Sequence, residues 1–177
     1  MTSDRPTLLP RRILVAIDGS DTSLSAADQA MEFAAQIGAE ITLIHVHDEE
    51  VARALKAAVP DKFEEAQWRL EDDADHLLEH LAERARKGGI PCTVRTQRGD
   101  PCGVINAVAE EVGADLIVVG RTGRRGVRRV LLGSVARRLI ESSRVPVLVV
   151  TERAEEGAPA ELLAPESGAR REVPSSA

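Results

Sequence analysis

Five short strand-like runs, spaced by helical patterns, constrain this chain more than any other feature. They occupy residues 13–17 (ILVAI), 41–46 (ITLIHV), 93–96 (TVRT), 116–119 (LIVV) and 147–150 (VLVV). Four of them are largely continuous in apolar character rather than alternating, as in strands buried on both faces. After Asp18-Gly19-Ser20 a helix pattern places Leu24, Ala27, Met31 and Ala34 on one stripe, with Ala30, Phe33 and Ile37 beside it. Ser20 or Asp21 caps it and Gly38 ends it. Residues 48–60 are mixed and read as a loop or a weak helix. Residues 61–87 read as a long charged helix whose buried side is Phe63, Leu70, Leu77, Leu78 and Leu81, stopped by Gly88-Gly89. Asp100-Pro101 opens another helix, with Pro101 near N1 and Val104, Ile105, Val108 and Val112 facing inward. Residues 134–142 form the last. The order β-α-β-α-β-α-β-α-β predicts an open parallel α/β sheet with helices on both faces.

A chain of 177 residues accommodates one such domain with a proper core. We assign it to residues 11–151. Residues 1–10 and 152–177 lack a periodic apolar pattern and are expected to be a flexible N-terminus and a disordered tail. Cys92 and Cys102 fit no zinc or CxxC spacing, so two free thiols in a reducing, cytoplasmic setting is the plain reading. The opening residues have no long apolar stretch of the secretory type. No run approaches the roughly 20 apolar residues that cross a membrane, so no membrane partner is expected. The net charge of −6 argues against a general nucleic-acid binder.

In an open α/β sheet, ligands bind beyond the C-terminal ends of the strands, where strand order reverses. Two loops have the right composition. One is Asp18-Gly19-Ser20 after the first strand. The other follows the fourth strand: Gly120, then glycines at 123, 126 and 133, then Ser134 at the start of a helix. Glycines let backbone N–H groups approach a phosphate, and a helix start favours anions through its orphan amides and dipole. The chain has neither GxxxxGK[ST] nor GxGxxG after its first strand, so the usual P-loop and dinucleotide motifs are absent.

These residues resemble the nucleotide-binding, ATP-binding subgroup of the universal stress protein family. That family's phosphate motif is Gly-x2-Gly-x9-Gly-Ser/Thr, and Gly120, Gly123, Gly133 and Ser134 keep its spacing. RRILVAIDGS, LIHV, DLIVVGRTG and LLGSVARRLIESSRVPVLVV are similar to the family as well, so the likeness spans about residues 11–151. It implies a Rossmann-like sheet of the adenine nucleotide alpha hydrolase type, with strand order 3-2-1-4-5. It implies ATP as the ligand, with Mg2+. Asp18 matches the acidic residue near base and ribose, reaching a metal ion indirectly. Ala16 belongs to the same contact set, and the backbone of Val46 matches the adenine contact. Val119 and Gly120 match the ribose-lining positions. Gly123, Gly133, Ser134 and Val135 match those that touch phosphate.

Blander readings stand beside these. Gly123 and Gly126 serve equally as loop turns, and Asp18 as a turn former. Arg121, Arg124, Arg125, Arg128 and Arg129 suit β- or γ-phosphates through their guanidinium forks, or they form the solvated surface of an arginine-rich chain. His76, Glu79 and His80 match HxxEH, a zinc peptidase pattern, on a helix that reads as exposed and lacks a marked third ligand. His45 and His47 share one face of the second strand, His45 as a satisfied core or crevice residue. Cys102 reads as a small apolar residue, and Trp68 as a cover for the sheet.

Three classes of function remain: a nucleotide-binding regulatory module with slow or no hydrolysis, a slow ATPase or phosphotransferase, and a structural or chaperone-like protein with incidental nucleotide binding. Phosphoryl transfer needs a positioned nucleophile and charge stabilisation, and the sequence offers no recognisable base with a fixed partner. The regulatory module is the favoured reading. A homodimer is expected through the last strand, Val147–Val150, whose apolar faces and edge both want cover.

Overall fold

The computed structural model describes residues 9–123 and 132–151. Its sheet comprises β1 (Arg12–Ala16), β2 (Glu40–Asp48), β3 (Cys92–Gly99), β4 (Leu116–Gly120) and β5 (Val147–Val150), all parallel, in the order β3-β2-β1-β4-β5. The expected strand order is thus the observed one. The helices are α1 (Asp21–Ile37), α2 (Glu49–Ala58), α3 (Phe63–Lys87), α4 (Pro101–Val112) and α5 (Ser134–Ser142).

Alternation along the strands builds two cores. Ile13, Val15 and Ile17 face one side with Ile41, Leu43 and Val118, against Ala27, Ala30 and Ala34 of α1 and Leu78, Leu81 and Ala82 of α3. Leu14, Ile44, Ile117 and Val119 face the other, against Ile105 and Val108 of α4 and Leu139 of α5. Each central strand is therefore apolar at successive positions because both its faces are covered. α1 starts where Ser20 accepts from the Ser23 amide and stops at Gly38, whose φ of 71° is costly for a residue with a Cβ.

Several expectations are corrected. Of the two alternatives for residues 48–60 the helix is the one observed: Asp48 caps a ten-residue helix by accepting from the Glu50 and Val51 amides, and a 3-10 turn at Pro60–Lys62 leads into α3. The third strand runs to Gly99, well beyond residue 96, because β2 pairs with it over its whole length. Leu70 and Trp68 are exposed, so neither closes the core, and Trp68 does not cover the sheet. Ala74, Ala82 and Ala85 take the buried positions with Leu78 and Leu81, since small residues let the long helix lie close to the strands. The segments expected to be flexible or disordered lie almost wholly outside the described residues, as do Arg124, Arg125, Gly126, Arg128 and Arg129.

Candidate functional site

The strand order reverses between β1 and β4, and their C-terminal ends bring the candidate residues together. Asp18 follows β1 directly. Its Oδ1 accepts from the Ser20 amide at 3.0 Å and from the Ser20 hydroxyl at 2.6 Å. Ser20 in turn caps α1, so the carboxylate is fixed by the residue that starts the helix. On the neighbouring strand, Ala16 pairs with Ile44 and the Ile17 amide donates to the Ile44 carbonyl. Asp18 follows Ile17 directly, and Val46 lies two residues beyond Ile44 on β2.

The loop after β4 closes onto this point. A Cβ on Gly123 would stand 2.7 Å from Asp18 Oδ2, which shows how near the two loops approach. The Thr22 hydroxyl donates to the Thr122 carbonyl, joining the start of α1 to the glycine loop. Gly120 has its own packing reason. A Cβ there would lie 2.7 Å from Thr22 Oγ1 and 2.8 Å from the Ser23 nitrogen, so only glycine lets the first turn of α1 seat on β4. Gly133 donates its amide to the Arg121 carbonyl at 2.7 Å. Its φ of −67° suits any residue; what it lacks is room, because a Cβ would meet the Arg121 carbonyl at 3.1 Å and Thr122 Cα at 3.3 Å.

Gly133 is also the N-cap of α5, and no side chain caps that helix. Ser20, Asp48 and Asp100 cap α1, α2 and α4. The first amides of α5 consequently point outward without a side-chain acceptor, beside the loop that touches Asp18. Ser134, the first helical residue, is exposed. Below the loops, Ala16, Val46, Val119 and Val135 belong to one apolar cluster, completed by Val104 and Leu132. An anion-favouring helix start over an apolar floor can hold a ligand with a charged end and a flat, weakly polar one.

The sequence reading missed Thr22 and Ser23, both 2% exposed, and the Thr122 carbonyl that the Thr22 and Ser20 hydroxyls hold. Polar residues at a helix start look like capping groups, and no local signal marks a contact to a residue far along the chain. Arg121 lies at the loop entrance. Its amide donates to the Val150 carbonyl, and its Nε is buried with no hydrogen-bond partner among the described residues.

The remaining candidates resolve into structural roles. His45 Nδ1 lies 2.8 Å from the Ile17 carbonyl, which requires the proton on that nitrogen. His47 packs edge-on against it at 4.7 Å, and burial, then the neighbouring His45, lower its pKa from the ordinary value. In the HxxEH pattern, His76 Nε2 is 3.6 Å from Asp72 and Glu79 pairs with Arg86 at 2.6 Å. No group of three metal-ligating side chains occurs among the described residues. Cys102 is buried with its Sγ 3.5 Å from Ser142 Oγ, while Cys92 lies in the opposite core, where burial raises its thiol pKa.

A doubly wound α/β protein, with a glycine-lined loop and an open helix start at its switch point, is the class that fold and site define. The model of the universal stress protein family matches residues 10–151, and the chain belongs to that family. It is 36% identical over 142 residues to universal stress protein MJ0531 of Methanocaldococcus jannaschii, covering 80% of this chain and 82% of that protein. It is 35% identical over 144 residues to YxiE of Bacillus subtilis, covering 78% and 97%. Among solved structures, M. jannaschii MJ0577 superposes with a TM-score of 0.71 at 28% identity, over 83% of this chain and 99% of that one. A universal stress protein in complex with cAMP gives 0.57 at 27% identity, over 82% and 99%.

Proposed function

We propose that this chain is an ATP-binding regulatory protein of the stress response, with slow or no hydrolysis. The observation that carries the reading is the start of α5. Its amides lack a side-chain cap, and Gly133 packs against Arg121–Gly123, the loop whose Gly123 approaches Asp18. Phosphate oxygens are the natural acceptors for such donors. Ser134 would add its hydroxyl, and Gly123 and Val135 would line the same end. The apolar floor of Ala16, Val46 and Val119 suits an adenine ring and ribose, with the backbone of Gly120 at the ribose end. A relative solved with cAMP, an adenine nucleotide, supports this choice of base.

Mg2+ fits the donor set in one way. Asp18 alone offers a carboxylate at the site's described rim, so the ion would be held mainly by phosphates and water, with Asp18 acting through a water. Magnesium commonly binds in this manner. The regulatory role, a homodimer through Val147–Val150 and a cytoplasmic setting complete the proposal. No helix among the described residues is long and apolar enough to cross a membrane.

Two measurements test the reading. Protein purified without added nucleotide and then denatured should release an adenine nucleotide. Phosphate release from ATP should run well below the roughly 10 per second of dedicated enzymes. Robust turnover that disappears in Asp18→Ala would move the chain to the enzyme class.

A further inference from the structure

Residues 49–73 contain no buried residue. α2 buries nothing, and the first buried side chain of α3 is Ala74. Val51, Ala52 and Leu55 of α2 are only half-buried, so this hairpin is held by a thin apolar face. Three contacts locate it. Arg86 Nε donates to the Cys92 carbonyl at 3.1 Å, Thr96 donates to Asp75 at 3.0 Å, and Arg98 pairs with Glu71 at 2.6 Å. Helix and strand therefore run antiparallel, and β3 ends at Gly99. The part of α3 before Glu71 overhangs the sheet by about 12 Å, at the same end as Asp18 and the glycine loop.

Trp68 sits on that overhang and is 63% exposed. Its four neighbours one helical turn away are Glu64, Glu65, Glu71 and Asp72, all carboxylates. Across residues 49–73 there are eight acidic side chains and four basic ones. Glu65 already pairs with Arg69 at 2.5 Å, and Asp72 lies 3.6 Å from His76. Both pairs are solvent-exposed, so they hold little free energy and exchange readily with an incoming cation. Glu71 is held by Arg98 and Gln67, which leaves Glu64, Glu65 and Asp72 beside the indole, a set complementary to a guanidinium that stacks on the ring while its N–H fork meets the acids.

We propose that the overhanging start of α3, centred on Trp68, docks an arginine-bearing segment of a partner protein. The charge of the arm selects a basic partner, and the exposed indole of Trp68 selects one with an apolar residue beside its arginine. This site is separate from the proposed nucleotide site and does not rest on it.

The chain has one tryptophan and no tyrosine, so its intrinsic fluorescence reports on this patch alone. The full chain is titrated with a short arginine–leucine peptide and with a glutamate–leucine peptide of the same length. The first should change Trp68 emission saturably, more weakly as salt rises, and the second should not. Anisotropy of the labelled arginine peptide then reads two variants, Trp68→Ala and the double variant Glu64→Lys, Asp72→Lys. Both change exposed residues and should keep the far-ultraviolet circular dichroism of the parent, and each should weaken binding about tenfold. Equal response to both peptides, no saturable response to the arginine peptide, or undiminished binding by either variant would overturn the proposal. So would light scattering in which Trp68→Ala turns a dimer into a monomer, because the patch would then belong to a second copy.

Discussion

Gly120 and Gly133 look alike in the sequence and differ in what they do. Gly120 is excluded from carrying a side chain by the first turn of α1, so Gly120→Ala drives a methyl against Thr22 and the Ser23 backbone. Overpacking of this kind costs about 1–3 kcal/mol, and urea unfolding should show the loss whether or not nucleotide is present. Gly133→Asp acts differently. Aspartate is a favoured N-cap, so its carboxylate would take the amides of α5 for itself and repel a phosphate brought to the same place. Binding of ATP should be abolished in a folded protein, and unchanged affinity would put the phosphates elsewhere. Ser134→Ala should be milder, losing about 1.5–3 kcal/mol of binding for one hydrogen bond to a charged group. The glycine spacing was legible from sequence. The division of labour among its members was not, because Thr22 and Ser23 approach Gly120 only through the strand order.

Between elements, Asp100 is the clearest joint. It caps α4 by accepting from the Gly103 amide at 2.9 Å, and it takes both terminal nitrogens of Arg138 on α5, at 2.6 and 2.8 Å. The Arg138 bonds, followed by the Gly103 amide, hold its carboxyl below the ordinary 3.8. Stability from this group is then complete above pH 3.8 and is lost as pH falls through the lower folded value. Asp100→Ala should cost about 1 kcal/mol near neutrality, mostly for the cap, since the exposed ion pair adds little. The gap between parent and variant should narrow in acid denaturation below that pH. A gap that widens in acid would contradict the assignment. Elements were legible where burial repeats. β5 and α5 match their expected bounds, and α1 carries its cap and its glycine stop in plain view. α2 was legible only as one of two alternatives, because its apolar stripe of Val51, Ala52 and Leu55 is short and only half-buried. The last turns of β3 escaped because Gln97 and Arg98 belong to the strand through their ladder with Val46 and His47, not through their side chains.

On the scale of the whole molecule, β5 ends the sheet and leaves one edge open. Leu148 on it and Ile140 on α5 are 42% and 53% exposed. A second copy paired antiparallel along Val147–Val150 would cover both and close under two-fold symmetry. Val149→Pro removes a donor from the strand and clashes with a ladder. Light scattering should then show a smaller particle than the parent, or an aggregating one if folding depends on pairing. A parent chain that is monomeric across micromolar concentrations would defeat the dimer while leaving the nucleotide site intact. The fold at this scale was the most legible of all, since alternating strands and helices admit few arrangements. The central claim is that the crevice between β1 and β4 holds ATP. Isothermal titration of nucleotide-free protein tests it most directly, with ATP, ADP, AMP and GTP in turn and with Mg2+ present or absent. Saturable ATP binding that strengthens with Mg2+ and exceeds that of GTP is the predicted result; no ATP binding by a folded chain at millimolar ligand would contradict it.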